Sequence, residues 1–249
     1  MPDVTGYRAK FAVIVPSTNT VVEHDFNAVR PHGVTFHTGR MYIENPALAS
    51  DEDFEALLEQ IRASIGVSVR DVMTAAPDYL VMGMSAETFW GGVEGNSAFE
   101  KRMTDAAGGL GVSTGASACR EALRRFGARR IAVLSPYQAV ADAMVTRFFE
   151  EAGFEVVRFK GLRCPTATAI ASVPERELIC VLRDELDGPD VDAIVQVGTN
   201  LSMLRLADEA ERWLGKPVLA INAATLWHSL RANGFEDRFH GFGSILRDH

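Results

Sequence analysis

Eight short apolar segments, none with alternating polar and apolar residues, constrain the fold of this chain more than any other feature. They are rich in valine and isoleucine, which is typical of strands that are buried on both faces of a parallel sheet. Between them, apolar residues recur at the three- and four-residue spacing of amphipathic helices. The predicted strands cover residues 11–15, 34–38, 79–82, 111–113, 131–134, 155–159, 193–197 and 218–221.

This alternation of strands and helices predicts an α/β fold with right-handed crossovers. The clearest helical segment contains the apolar residues from Phe54 to Ile65 and follows a Ser-Asp-Glu-Asp sequence at 50–53, which is typical of an N-terminal cap. Gly66 is expected to interrupt this helix. Further helices are predicted over residues 116–126, 139–152, 175–186, 201–214 and 225–233.

A pattern of strand, small polar loop and helix occurs twice in each half of the chain. Residues 11–17 (FAVIVPS) resemble residues 130–137 (RIAVLSPY), and residues 78–85 (DYLVMGMS) resemble residues 192–200 (DAIVQVGTN). Two similar Rossmann-like halves, with parallel sheets facing a central cleft, would bring the four loops together; chance similarity between α/β segments is the alternative. The predicted halves are residues 1–112 plus 221–249 and residues 113–220.

Composition and charge exclude several classes of protein. The chain of 249 residues has a net charge of −8, and its 25 basic residues are scattered, which argues against a nucleic-acid surface. No apolar run approaches the roughly 20 residues of a membrane span, and the first ten residues lack the apolar core of a secretory signal. The three cysteines are odd in number and form no Cys-x-x-Cys pair, as expected for reduced thiols. We therefore expect a cytoplasmic protein that binds neither nucleic acid nor membrane.

The sequence contains no motif for a cofactor or a metal ion. GxxxxGK[ST] is missing, as is GxGxxG after a strand, so a nucleotide cofactor is unsupported. His32 and His37 lie five residues apart in a predicted strand region, so their side chains would point to opposite faces. Cys119 and Cys180 fall in predicted helices, where packing in the core is the expected role. We expect no cofactor and no metal.

Three polar loops that follow predicted strands are candidates for a binding site. They are residues 16–20 (PSTNT), 83–87 (GMSAE) and 198–200 (GTN). Open α/β sheets bind ligands at the carboxyl ends of their strands, and the free N–H groups of a helix N-terminus favour an anion such as a carboxylate. Helix capping by Ser, Thr and Asn is the alternative explanation for any one loop. Three loops in equivalent positions favour a site for a small carboxylate.

Several motifs resemble those of the aspartate/glutamate racemase superfamily. Residues 15–23 (VPSTNTVVE) resemble the P-S-S-N-T-x-x-E segment of maleate cis-trans isomerases. Residues 112–117 (VSTGAS), 135–137 (SPY) and 241–246 (GFGSIL) match the superfamily more broadly, which also contains arylmalonate decarboxylases. The resemblance spans nearly the whole chain. It implies two pseudo-symmetric α/β halves that clasp a small carboxylate or dicarboxylate without cofactor or metal, in a homo-oligomer.

The cysteines that carry the chemistry in that superfamily are replaced here. By position, the first would fall at Gly83 and the second at Gly198; a shift of one or two residues would place Met84, Ser85 or Thr199 there instead. A serine or threonine hydroxyl is far less acidic than a thiol and needs a neighbouring base to become a nucleophile. The usual cysteine pair is therefore absent from the expected site.

The remaining site residues follow from the resemblance. Asn19 matches the asparagine that hydrogen-bonds the substrate carboxylate, and Tyr137 matches the active-site tyrosine, whereas Arg163 begins the segment that replaces a second family asparagine. Ser85, Thr199 and Tyr137 are the predicted catalytic residues: the first two relay protons and Tyr137 serves as an acid. The predicted substrate-binding residues are Pro16, Ser17, Asn19, Gly83, Met84, Gly198 and Asn200.

Three functions remain open. The leading prediction is an isomerase or racemase-like enzyme, closest to maleate isomerases, in which Asn19, Tyr137 and loop amides stabilise enediolate-like charge on a small dicarboxylate. The second is a lyase or hydrolase on the same scaffold. A decarboxylase would press the leaving carboxylate against Met84, Phe89 and Trp90, and a hydrolase would use Ser85 or a held water as nucleophile. The third is a non-catalytic carboxylate binder, since a fold does not fix a function.

Overall fold

The computed structural model describes residues 3–249 and contains two four-stranded parallel sheets of identical topology. The strand orders are β2-β1-β3-β4 and β6-β5-β7-β8. All eight predicted strands are present, so the predicted α/β fold with two parallel sheets is confirmed. The strands are β1 (Ala9–Pro16), β2 (Val34–Met41), β3 (Tyr79–Met82), β4 (Val112–Ser113), β5 (Arg130–Ser135), β6 (Glu155–Gly161), β7 (Ala193–Gln196) and β8 (Val218–Ala220).

Helices connect and cover these strands. The predicted helix over residues 175–186 continues from an α-helix into a π-helical turn at Val181–Leu186, and a 3₁₀ turn lies at Ala169–Ser172. Within residues 3–249, no helix is both long enough and apolar enough to cross a membrane. The α-helices are α1 (Val22–Ala28), α2 (Asp51–Met73), α3 (Ala86–Phe89), α4 (Gly92–Ala106), α5 (Gly115–Arg125), α6 (Ala139–Glu151), α7 (Glu175–Cys180), α8 (Leu204–Leu214), α9 (Ile221–Ala232) and α10 (Ser244–Asp248).

The long helix α2 begins where its capping sequence predicts. The Ser50 side chain accepts a hydrogen bond from the Asp53 backbone at 3.2 Å, and the Asp53 carboxylate accepts one from the Ser50 backbone at 3.0 Å. The predicted interruption at Gly66 is wrong, because α2 continues to Met73. Its buried face extends past Gly66 to Val72, and this burial outweighs the roughly 1 kcal/mol that a glycine costs in a helix.

The predicted core role of one cysteine is also wrong. Cys119 is fully buried in α5, as predicted, but Cys180 is exposed at the end of α7. In this short helix Leu178 supplies the buried contact, and Cys180 lies two residues further along, on a different side of the helix.

The sheet arrangement determines where the polar loops lie. The two central strands of each sheet, β1 and β3 in one and β5 and β7 in the other, pair in parallel and end at the same edge. Ile14 of β1 is opposite Met82 of β3, and Leu134 of β5 is opposite Gln196 of β7. The four loops that follow these strands therefore form at the carboxyl edges of the two sheets.

The division of the chain into two halves stays a prediction. Helix α9 follows β8 of the second sheet but contacts β3 and β4 of the first. It also packs against α5 and β8, which belong to the predicted second half, so α9 contacts both halves of the proposed division. Residues 1 and 2 lie outside the described residues. They belong to the predicted first half and to the first ten residues, in which we expect no secretory signal.

Candidate active site

A cavity of about 70 Å³ lies among the loops that follow the central strands of both sheets. One part of its wall is polar and comes from those loops. The other part is apolar and comes largely from α2, with the remainder from the segments that follow β2, β3 and β6. The polar lining residues are Thr18, Asn19, Ser85, Glu87, Tyr137, Thr199 and Asn200; the apolar ones include Ile43, Leu48, Phe54, Leu57, Leu58, Ile61, Met84 and Ile170.

The three residues predicted to be catalytic meet in one hydroxyl cluster. The Ser85 Oγ atom lies 2.5 Å from the Tyr137 hydroxyl, and the Thr199 backbone N–H donates to Ser85 Oγ at 3.2 Å. All three residues are buried, and they come from the loops after β3, β5 and β7. Their catalytic roles remain a prediction, but the fold brings together residues that are up to 114 positions apart, with Thr199 joined to Ser85 through its backbone.

Asn19 both caps a helix and lines the cavity. Its Oδ1 atom accepts hydrogen bonds from the backbone N–H groups of Val21 and Val22, each at 3.0 Å. Its Nδ2 atom donates to Thr199 Oγ1 at 3.2 Å, and that hydroxyl donates to the Gly83 carbonyl at 3.1 Å. The capping and binding explanations for this loop are therefore compatible.

The other predicted binding residues differ in their positions. Pro16, Met84, Gly198 and Asn200 line the cavity. Ser17 is not among the lining residues: its Oγ atom accepts the Ile43 backbone N–H at 3.1 Å and so joins the loops after β1 and β2.

Gly83 and Gly198, the two positions at which we expect the family cysteines to fall, have no room for a side chain. A Cβ atom on Gly83 would lie 2.6 Å from Val15 Cγ1, and Gly83 is not among the lining residues. Gly198 has a φ of +98°, and a Cβ atom there would lie 2.4 Å from Pro136 Cγ. Neither position accepts a side chain without rearrangement, so this site is packed around glycine at both points.

Two of the lining residues within 3–249 are ionisable, and neither is a free base. Burial raises the pKa of Tyr137 far above that of a free tyrosine, although its hydrogen bond with Ser85 opposes the shift, so the hydroxyl is neutral at pH 7. Glu87 is paired with Arg62, whose Nε and Nη2 atoms donate to its carboxylate at 2.9 Å and 2.8 Å. Within residues 3–249, the Ser85 hydroxyl makes its hydrogen bonds with Tyr137 and Thr199 and none with Glu87.

The thiols do not replace the missing cysteines. Cys119 and Cys164 are buried outside the cavity lining, and burial raises the pKa of Cys164 to about 11. Across residues 3–249, no cluster of three or more His, Cys, Asp or Glu side chains is arranged to hold a metal ion.

The predicted apolar wall at Phe89 and Trp90 is wrong; of the three residues proposed for it, Met84 lines the cavity. The Phe89 ring packs against Phe148 and Phe149 of α6, with centroids 5.2 Å and 5.7 Å apart, so it belongs to the core. Trp90 lies under the Arg62 guanidinium instead.

The apolar wall that sequence reasoning missed is α2. Phe54, Leu57, Leu58 and Ile61 line the cavity. Their three- and four-residue spacing was visible in the sequence, but such a stripe equally describes a helix that packs on a core. Periodicity alone contains no signal that separates the two.

Arg163 replaces a family asparagine and has a different position. It is in the left-handed region with a φ of +54°, and its Nη1 atom donates to the Tyr137 carbonyl at 2.7 Å. The same guanidinium is paired with Asp142 of α6. Arg163 therefore supports the backbone of Tyr137 from outside the cavity lining.

Comparisons with known proteins agree with this architecture. The family model described as arylmalonate decarboxylase matches residues 11–246. The maleate isomerase of Pseudomonas putida is 28% identical over 245 residues, covering 94% of this chain and 95% of that protein. The arylmalonate decarboxylase of Bordetella bronchiseptica is 28% identical over 218 residues, covering 83% of this chain and 88% of that protein.

A solved structure has the same fold over nearly its whole length. It is a serine-for-cysteine mutant of the Nocardia farcinica maleate cis-trans isomerase with a covalently bound succinylcysteine intermediate. It superposes with a TM-score of 0.87 at 26% identity, covering 97% of this chain and 99% of that one. The chain belongs to the arylmalonate decarboxylase and maleate isomerase family of the aspartate/glutamate racemase superfamily.

Proposed function

We propose that this protein is a cofactor-independent decarboxylase that acts on a malonate-type acid with an apolar substituent. One observation carries the proposal: the cavity combines the neutral hydroxyls of Ser85, Tyr137 and Thr199 with an apolar wall, and its lining contains neither a thiol nor a free base within residues 3–249.

The hydroxyl cluster supplies donors for the carboxylate that the substrate retains. Ser85 and Tyr137 share one hydrogen bond, so one of the two hydroxyl protons is free to point at a ligand. Ala86 and Glu87, at the first turn of α3, also line the cavity, and first-turn N–H groups have no partner inside their own helix. These donors hold a carboxylate at the polar side of the cavity.

The apolar wall suits the carboxylate that leaves. Removal of a carboxylate from water destabilises its charge, which favours breaking its bond to the central carbon. The electron pair of that C–C bond stays on the central carbon and spreads into the retained carboxylate as an enediolate, and CO₂ departs. The donors that held the retained carboxylate then stabilise its increased negative charge.

The central carbon must finally gain a proton. Tyr137 is protonated at neutral pH, as tyrosine ordinarily is, and burial raises its pKa further. It donates its proton to the carbon directly or through Ser85. Solvent restores the proton, so each turnover consumes one proton and releases one CO₂. Decarboxylation needs no base, since the C–C bond supplies the electron pair. The lack of a free base in the lining is therefore the reason to favour it over reactions that begin with proton removal or with an activated serine.

The second candidate is cis-trans isomerisation of maleate. Its support is the similarity to maleate isomerases over nearly the whole chain, together with the loop that contains Pro16 and Asn19. The reaction would require addition of Ser85 Oγ to the double bond, rotation and elimination. No base in the lining of the described chain prepares Ser85 for that addition, so isomerisation ranks second.

Proton NMR in D₂O, with phenylmalonate and maleate in separate samples, tests the proposal. We expect phenylacetate that carries one deuterium on the central carbon, with release of CO₂ and no change in maleate. Ser85→Ala and Tyr137→Phe should each lower kcat by about 100-fold, which is typical for the loss of one donor to an oxyanion. Ser97→Ala and Tyr42→Phe remove the same groups outside the cavity lining and serve as matched controls.

Other outcomes overturn the proposal. Fumarate formed from maleate, without CO₂ release from any malonate, would establish the isomerase instead. No turnover of a panel of malonates and dicarboxylates, with phenylacetate still raising the unfolding temperature, would identify a carboxylate binder.

A further inference from the structure

A buried carboxylate–amide pair lies directly behind the loop that follows β7. Asp25 of α1 and Asn222 of α9 are each 3% exposed, and neither is among the cavity-lining residues. The Asn222 Nδ2 atom donates to Asp25 Oδ2 at 2.8 Å and to the Thr199 carbonyl at 3.0 Å. The pair therefore contacts the backbone of the loop rather than the cavity.

This contact determines the direction of the next backbone N–H group. In a planar trans peptide the C=O and N–H bonds point to opposite sides. The Thr199 carbonyl points toward the buried Asn222, so the N–H of Asn200 points away from it, toward the side where Asn200 lines the cavity.

The preceding peptide is oriented in the same way. The Gly198 carbonyl accepts a hydrogen bond from Gln196 Nε2 at 2.8 Å, and the Thr199 N–H points at Ser85 Oγ, 3.2 Å away. Gly198 is in the left-handed region, with a φ of +98°. Successive N–H groups in a turn of this kind form a concavity that binds anions.

We propose that Asp25 and Asn222 are positioning residues that hold the Thr199–Asn200 peptide so that the Asn200 N–H donates to the carboxylate that the substrate retains. The kinetic part of this inference rests on the proposed decarboxylation; the carboxylate-binding part does not.

The hydrogen bonds permit only one orientation of the Asn222 side-chain amide. Both groups around Asn222 Nδ2, the Asp25 carboxylate and the Thr199 carbonyl, are acceptors, so a rotated amide would place its oxygen against an acceptor. In this orientation Asn222 Oδ1 is buried without a partner within residues 3–249. A buried acid and an unsatisfied amide oxygen both oppose folding, and features that oppose folding concentrate at functional sites.

Kinetics on phenylmalonate separate positioning from a purely structural role. Asp25→Ala and Asn222→Ala should lower kcat at least 10-fold with a smaller change in KM, because the retained carboxylate gains charge in the transition state. Asp25→Asn keeps an acceptor for Asn222 and should stay within about threefold of the unaltered protein. Asp208→Ala removes an equally buried, ion-paired aspartate from α8 and should leave kcat unchanged.

An NMR titration tests the same inference without any turnover. Protein labelled with ¹⁵N only at asparagine is titrated with phenylacetate. We expect a saturable downfield shift of the Asn200 amide proton in the unaltered protein and in Asp208→Ala, and less than a third of that shift in Asn222→Ala and Asp25→Ala.

The two experiments distinguish the two proposals. An Asn222-dependent shift without turnover would overturn the decarboxylase and support the positioning pair. Turnover with unchanged kcat and an unchanged Asn200 shift in both alanine variants would overturn the positioning pair alone. An Asn200 amide that does not respond to phenylacetate in the unaltered protein would also overturn it.

Discussion

At the scale of single residues, two glycines beside the cavity are packed so closely that neither accepts a side chain without rearrangement. The two glycines are closed for different reasons: Gly83 meets the Val15 side chain, while Gly198 has both a left-handed backbone and a close neighbour in Pro136. Local packing therefore leaves no room for a side chain at either glycine. Thr199 directly follows Gly198 and Ser85 lies two residues after Gly83, and both line the cavity.

Gly198→Ala should lower the free energy of unfolding more than a glycine substitution that is strained in its backbone alone. Gly215→Ala is the matched control: its φ is +69°, and in the described part of the chain no atom beyond its two chain neighbours would lie within 4 Å of its Cβ. We expect a loss of about 1–2 kcal/mol for Gly215→Ala, and about 1–3 kcal/mol more for Gly198→Ala because of overpacking against Pro136. Urea denaturation measures both. Equal losses of unfolding free energy in the two variants would show that Pro136 moves to accommodate the added methyl group without destabilising the protein.

Asp25 should make the stability of the protein depend on pH. Burial raises the pKa of Asp25, while hydrogen bonds from Asn222 and His24 oppose the shift. The unfolded chain then releases this proton at a lower pH than the native protein, so native stability falls as pH rises from about 4 to the native pKa of Asp25. Asp25→Asn lacks this group. Its free energy of unfolding, relative to the unaltered protein, should therefore increase over the same interval.

Urea denaturation from about pH 4 to pH 7 measures this difference. His24 lies 3.2 Å from Asp25 and is 71% exposed, so His24→Gln, which keeps the carboxyl group, is the control. Parallel stability curves for Asp25→Asn and the unaltered protein would contradict the expectation.

Residue-level prediction from sequence succeeds where a local motif exists and fails where contacts are distant. The loops that contain Asn19, Ser85 and Thr199 follow strands, so their convergence was predictable from the order of elements. Asp25 and Asn222 meet across 197 positions of the chain, and nothing near either residue in the sequence marks the pair.

At the scale of elements, strands were predicted well because burial on both faces leaves a plain signal of consecutive apolar residues. Helix α2 shows the opposite case. Its apolar stripe predicts a helix, but the first part of the stripe lines the cavity and the next part packs on the core. The prediction also gave too much weight to Gly66, which does not interrupt the helix. The aromatic residues around Phe89 are a similar case: in the sequence they fit an apolar pocket wall and a helix-packing surface equally well, because composition does not show which neighbour a side chain will meet.

Gly66→Ala should stabilise the protein. Gly66 lies in the interior of α2 and is exposed, and among residues 3–249 no atom beyond its chain neighbours and its own helix backbone would lie within 4 Å of a Cβ there. The substitution removes chain freedom from the unfolded state and adds no clash, so the free energy of unfolding should rise by about 0.5–1 kcal/mol. Gly127→Ala, equally open but with a φ of +69°, should destabilise instead. A loss of stability in Gly66→Ala, measured by urea denaturation, would contradict a regular helix at this position.

At the scale of the whole molecule, the cavity is also the place where segments from both sheets are joined. Asn200 is the clearest link: its Oδ1 atom accepts the Thr20 N–H at 3.0 Å, and its Nδ2 atom donates to the Ala167 carbonyl at 2.9 Å. Asn19 and Asn222 make further hydrogen bonds to the loop after β7. In the proposed division into residues 1–112 plus 221–249 and residues 113–220, the bond between Asn200 and Ala167 lies within the second half. The bonds that Thr20, Asn19 and Asn222 make with the loop after β7 join the two halves, so the halves should unfold together.

Fluorine NMR of protein labelled with 5-fluorotryptophan tests this cooperation, because the three tryptophans report on different parts of the chain. Trp90 lies in the proposed first half and Trp213 in the second, on α8. Both native resonances should disappear at the same urea concentration. Asn200→Ala should lower that concentration through a loss of about 1–3 kcal/mol, since it leaves buried partners unsatisfied. The exposed Asn27→Ala should change the free energy of unfolding by about 0.5 kcal/mol or less.

Separate midpoints for Trp90 and Trp213 in the unaltered protein would contradict this expectation. They would mean that the hydrogen bonds at the cavity do not couple the sheets, so that the site would open whenever one half unfolded by itself. Coincident midpoints that separate in Asn200→Ala would instead place the coupling at this asparagine. The residues that line the site would then also hold the two sheets together, and a bound carboxylate would stabilise both halves by the same amount.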